Sequence, residues 1–144
     1  MKEIKPISII VLIAGIMIVL TGIMHMAATP AMYRQLQSDP MFGEQMSVQK
    51  LRGMVYFFMV CGLYFVFAGS LLVFCSAQFK KKEPWSWIIA TLSAFMITLA
   101  ALPGLLYAKF SNPLIYIDVI CGLICLLALV VSARLFHWQG RLTN

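Results

Sequence analysis

The chain has 144 residues, of which 62% are hydrophobic and 11% charged, with a mean hydropathy of +0.92. A soluble domain is roughly half apolar and about a quarter charged, so a water-soluble globule is excluded and lipid is the expected solvent for most of the surface. The net charge of +6 sits in basic residues that flank apolar runs, with no basic patch of interleaved aromatics outside them. It therefore points to membrane orientation and anionic lipid rather than nucleic acid.

Lys2 and Lys5 precede an uncharged apolar run over residues 7–27. About 20 such residues cross a hydrocarbon core of about 30 Å. A cleaved signal peptide also begins with lysines and an apolar stretch, but this run is too long and Pro30 sits where cleavage would be hindered, so a retained helix is expected.

Residues 28–53 form the longest polar stretch. Thr29-Pro30 and Asp39-Pro40 each read as a helix N-cap followed by proline at the first helical position. Met32, Leu36, Met41, Phe42 and Met46 give these pieces an apolar side, so short interfacial helices over the outer helix ends are expected.

A second apolar run covers 54–77, followed by the basic turn Gln78-Phe79-Lys80-Lys81-Lys82-Glu83 and Pro84. A third covers 85–108. Ser111-Asn112-Pro113 starts a fourth over 113–136, which ends in Arg134, His137, Trp138 and Arg141. The fold expected is an all-α membrane protein, a four-transmembrane-helix antiparallel bundle forming one integral membrane domain over 1–144. With the N-terminus cytoplasmic, that side holds Lys2, Lys5, Lys80, Lys81, Lys82, Arg134 and Arg141, and the other holds Arg34, Lys50, Arg52 and Lys109. This asymmetry follows the positive-inside rule and places both termini in the cytoplasm. Trp85, Trp87 and Trp138 then fall at the inner interface, and Tyr107 and Tyr116 near the outer one.

Between helices in lipid, small residues decide the contacts, because leucine gains little by leaving acyl chains. Gly15 and Gly22, Gly62 and Gly69, and Ala94 and Ala101 are each seven apart, about two turns, which sets each pair on one stripe. Gly122, Ala128 and Ser132 serve the fourth helix less regularly. Val60-Cys61-Gly62-Leu63 echoes Ile120-Cys121-Gly122-Leu123, and Met-Ile-x-Leu occurs at both Met17 and Met96. Duplication of a helical hairpin would produce such echoes, and so would apolar composition alone.

Ionisable residues inside apolar runs are costly and stand out as functional candidates. His25 and Asp118 qualify, both expected towards the outer end of the bundle, with Arg52, Tyr56, Tyr107, Tyr116 and Lys109 at similar depth. A polar pocket built on His25 and Asp118 would let the carboxylate fix the imidazole tautomer for proton transfer. The plainer alternative is a histidine wet at the interface and an aspartate favoured by its helix N-terminus. Cys61, Cys75, Cys121 and Cys125 read as small apolar residues, no metal-ligand spacing occurs, and His137 lies at the opposite face from His25, so one chain cannot offer both to one haem iron.

Gly22-Ile23-Met24-His25, with Pro30 and Tyr33 beyond, resembles the end of the first helix in the DoxX-like family of small four-helix bacterial membrane proteins. Cys61-Gly62-Leu63 and Ala68-Gly69 are similar to that family's second helix, where many members also carry an acidic residue; this chain has Tyr64 and Phe65 there. The resemblance implies association with membrane oxidoreductase systems.

Three functional classes remain. The first is a non-catalytic accessory or oligomerising bundle, as a homo-oligomer or in a larger membrane complex. The second is a lipid- or quinone-binding protein, or a membrane oxidoreductase-type enzyme, with its pocket near the outer leaflet; a cofactor is not specified by the residues. A small multidrug-type transporter ranks last, because it needs an acidic residue in the first helix and residues 7–26 contain none.

Overall fold

The computed structural model describes residues 4–38, 47–107 and 113–137. They form four helices, α1 (Ile4–Ser38), α2 (Val48–Gln78), α3 (Pro84–Tyr107) and α4 (Pro113–His137), with a 3-10 turn at Phe79–Lys81 after α2. Each helix is long and apolar enough to cross a membrane, and no strand occurs among the described residues. Each packs chiefly on two neighbours, in the cyclic order α1, α2, α3, α4. Chain neighbours run antiparallel: Gly15 faces Gly69 while Gly22 faces Gly62, and Phe79 at the end of α2 meets Phe136 at the end of α4, rings 5.2 Å apart.

The faces differ in residue size more than in hydropathy. The buried stripe of α1 is Val11, Ala14, Gly15, Ile18, Thr21, Gly22, His25 and Thr29, while Ile9, Ile13, Ile16, Leu20 and Ile23 point outward. Spacings of three and four residues put the small side chains on one line. Along the facing line of α2, Gly62, Phe65, Ala68, Gly69 and Leu72 are buried. A methyl group on Gly15 would stand 3.0 Å from the Gly69 carbonyl oxygen, and one on Gly69 would stand 2.8 Å from that of Gly15. In α3 the buried line includes Ala94, Ile97, Thr98 and Ala101, and in α4 Val119, Cys125, Leu129 and Ser132. Gly122 of α4 lies against the Thr98 hydroxyl of α3. The two Cys-Gly-Leu segments thus occupy like places, each glycine facing the preceding helix of its own hairpin.

At the end of the bundle that holds the start of α1, Ser8 donates to the Ser76 carbonyl oxygen (2.8 Å) and joins α1 to α2. Trp87 donates its indole N–H to the Leu129 carbonyl oxygen (2.8 Å), joining α3 to α4. Trp87 is half-buried, reaching into the bundle, whereas Trp85 is exposed beside Phe74. Lys82 holds φ at 56°, a left-handed conformation that closes the turn through its N–H to Phe79.

The helix ends differ from the sequence expectation on one side. The chain does not leave the helix at residue 27 and restart at Pro30: α1 continues through Pro30 to Ser38. Thr29 turns its hydroxyl back to the His25 carbonyl oxygen (3.0 Å) instead of forward as an N-cap. Such back-bonding helps a membrane helix carry proline, which lacks the N–H that would reach the Met26 carbonyl. The second helix begins at Val48 rather than 54, with the Ser47 hydroxyl accepting from the Lys50 N–H. At 1.5 Å per residue the 35 residues of α1 measure about 52 Å, longer than the hydrocarbon core. Hydropathy marks where lipid ends, and these helices outrun it. Of the stretch 28–53, residues 28–38 and 48–53 are helical, so they are extensions of the two rods rather than separate interfacial pieces. Asp39, Pro40, Met41, Phe42 and Met46 lie outside the described residues.

Candidate functional site

His25 continues the packing stripe of α1 and is 6% exposed. Its ring lies against two aromatic rings of α2, with centroids 4.8 Å from Phe58 and 5.8 Å from Phe65. Gly62 allows this, since a methyl group there would stand 3.1 Å from the His25 Cβ. Nδ1 of His25 is 3.1 Å from the Thr21 carbonyl oxygen, one turn back. A carbonyl only accepts, so Nδ1 carries the hydrogen. Thr21 in turn donates to the Met17 carbonyl oxygen (3.0 Å), and Thr29 donates to that of His25. Three side chains four residues apart thus bond back along one helix.

Asp118 belongs to the first turns of α4 and is 1% exposed. Its carboxyl group is within hydrogen-bonding reach of the Thr21 side chain, and its Oδ1 has no hydrogen-bond partner. The Thr21 hydroxyl has one hydrogen, so it cannot donate to Met17 and to Asp118 at once. A buried carboxyl oxygen left without a partner is costly and rare in native structures.

Thr21 therefore touches both candidate groups, through different atoms. Its carbonyl meets the imidazole, which faces α2; its side chain meets the carboxyl of α4. No hydrogen bond or ion pair joins His25 to Asp118. The backbone of Thr21, not the carboxyl of Asp118, orients the imidazole.

The remaining candidates separate from this centre. Arg52 is exposed and Tyr56 is 70% exposed, so both lie off the buried stripe of α2 that faces His25. The cause is the stripe on α2: Gly62 and Phe65 face α1, and a residue six before Gly62 is rotated well off that line. Tyr116 is half-buried near the start of α4. The side chain of Tyr107, and Lys109, lie outside the described residues. Ala94 and Ala101 are both buried.

Sequence reasoning passed over Thr21 and Tyr64. Thr21 stands next to Gly22 and four residues before His25, so its place on the buried stripe was available from spacing alone. Tyr64 is half-buried with a hydroxyl that has no partner, and no short pattern marks it. All four cysteines are free. Among the described residues no group of three or more His, Cys, Asp or Glu side chains could hold a metal ion. Two surface grooves, one beside Lys5 and Lys80 and one beside Ile16 and Ser70, are lined by other residues than His25 and Asp118. No protein-family model, curated protein or solved structure matches the chain.

Proposed function

We propose that this protein is a non-catalytic multi-pass bundle of a bacterial inner membrane, with both termini cytoplasmic, acting as an accessory or self-associating subunit. One observation carries the reading. His25, the residue best suited to proton transfer, is held as a packing group between Phe58 and Phe65 with its Nδ1 committed to a backbone carbonyl. Along the interior of the bundle, the buried hydroxyls of Thr29, Thr98 and Ser132 likewise bond to carbonyls of their own helices. Side chains tied in this way contribute to a rigid interior rather than to a substrate chamber. The likeness of Gly22-Ile23-Met24-His25 to a DoxX-like helix end supports a larger oxidoreductase system as the setting.

The test is native mass spectrometry of the chain extracted from its membrane in polymer-bounded lipid discs. The expected result is a homo-oligomer, or a complex with other membrane subunits in fixed ratio, unchanged by His25→Phe. A monomer in every preparation would overturn the proposal.

A second reading is supported by the unpartnered Oδ1 of Asp118. A lipid or quinone bound near the outer leaflet would bring a polar group to that oxygen. Stoichiometric co-purification of such a molecule, lost in Asp118→Asn, would favour this reading over the first.

A further inference from the structure

We infer that the groove between the start of α1 and the 3-10 turn after α2 is a binding site for an anionic phospholipid of the leaflet on that side. Ile4, Lys5, Ser8, Ile9, Leu12 and Lys80 line it, and its volume is about 460 Å³. That lies within the roughly 300–1,000 Å³ usual for small-molecule sites. The inference is independent of the accessory role proposed above.

Among the described residues, two cations reach the groove, from separate parts of the chain. Lys5 comes from the second residue of α1 and Lys80 from the middle of the 3-10 turn, and both are exposed. Their relative position is set from beneath. Phe79, next to Lys80, is 0% exposed against Phe136, and Ile4, next to Lys5, is 6% exposed. The Ser8 hydroxyl is committed to the Ser76 carbonyl, which holds the two helix ends together. The backbone positions of the two lysines are therefore held at one mouth, within reach of a shared anion, while Ile9 and Leu12 continue the groove towards the middle of the membrane.

This gradient decides the occupant. Leu12 is seven residues beyond Lys5, about 10 Å along the helix axis. A ligand filling the groove needs an anion at one end and hydrocarbon at the other. A phospholipid with a net negative head group has that layout, and its phosphate lies at the depth where lysine side chains reach the interface. A free phosphate would leave the apolar part unused, and a zwitterionic lipid would set a second cation against the lysines.

The experiment is native mass spectrometry of the full chain in neutral detergent, titrated with phosphatidylglycerol, phosphatidylcholine or glycerol 3-phosphate. Phosphatidylglycerol is expected to bind most tightly. Lys5→Gln and Lys80→Gln should each weaken it by roughly fivefold, as expected for one basic residue at an anionic membrane surface. Lys50→Gln, on an exposed residue near the start of α2, should leave it unchanged. Leu12→Trp, which fills the apolar end, should weaken phosphatidylglycerol binding as well. Undiminished binding in the Lys5→Gln/Lys80→Gln double variant overturns the inference, as does equal affinity for phosphatidylcholine. Glycerol 3-phosphate binding as tightly as the lipid would overturn it too.

Discussion

Gly22 and Gly62 meet backbone to backbone. A methyl group on Gly22 would stand 2.6 Å from the Gly62 carbonyl oxygen, and one on Gly62 would stand 2.8 Å from that of Gly22. Neither obstacle is a flexible side-chain end, so alanine at either position must push the two helices apart. Gly22→Ala or Gly62→Ala is expected to cost about 1–3 kcal/mol, the usual penalty of overpacking. Gly53 has nothing within 4 Å of its would-be methyl group, so Gly53→Ala should instead gain about 0.5–1 kcal/mol from helix propensity. Thermal unfolding in mild detergent compares the three. Equal behaviour at Gly22 and Gly53 would show that the seam is not a stability determinant.

The α3–α4 contact can be tested by a cycle. A methyl group on Gly122 would collide with the Thr98 hydroxyl oxygen, and that hydroxyl donates to the Ala94 carbonyl oxygen. Gly122→Ala should destabilise by about 1–3 kcal/mol. Adding Thr98→Ala should return part of the loss, with a coupling of about 0.5–3 kcal/mol. Strict additivity of the two changes in unfolding experiments would place the two residues out of contact.

Pro30 lies inside α1, where it removes one helix hydrogen bond. Pro30→Ala restores the missing N–H and should leave the helix continuous. A gain of up to about 3 kcal/mol is the ceiling set by helix propensity. Helicity by circular dichroism should stay level or rise. A fall would mean that the chain turns at Thr29-Pro30 and does not run on to Ser38.

Asp118 has one oxygen near Thr21 and one without a partner. Asp118→Asn keeps the shape and removes the possibility of a buried charge. An amide N–H can donate to the Thr21 hydroxyl oxygen while that hydroxyl donates to Met17, so stability is expected to stay level or to rise by about 1 kcal/mol, the net worth of one hydrogen bond. A loss of that size, read by chemical unfolding in detergent, would show that the carboxyl group holds a ligand or partner.

Much of the architecture was legible in the residues. Four apolar runs separated by more polar stretches read as four helices of membrane-spanning length, because a bilayer demands a minimum span and tolerates few charges, and the described residues form four such helices. The seven-residue spacing of Gly15 and Gly22, and of Gly62 and Gly69, could also be read directly. What composition cannot supply is direction around a helix whose every face is apolar. Only the packed bundle set Gly22 against Gly62, turned Tyr56 outward, and put Phe58 and Phe65 on the His25 ring. The Thr29-Pro30 pair shows the same division. Its sequence suits both the start of a helix and the middle of one, and the choice rests on whether the hydroxyl bonds forward or back. His25 and Asp118 were conspicuous as costly groups in lipid, but their approach to opposite sides of Thr21 depends on α2 and α4 flanking α1, a long-range arrangement that no local stretch of chain encodes.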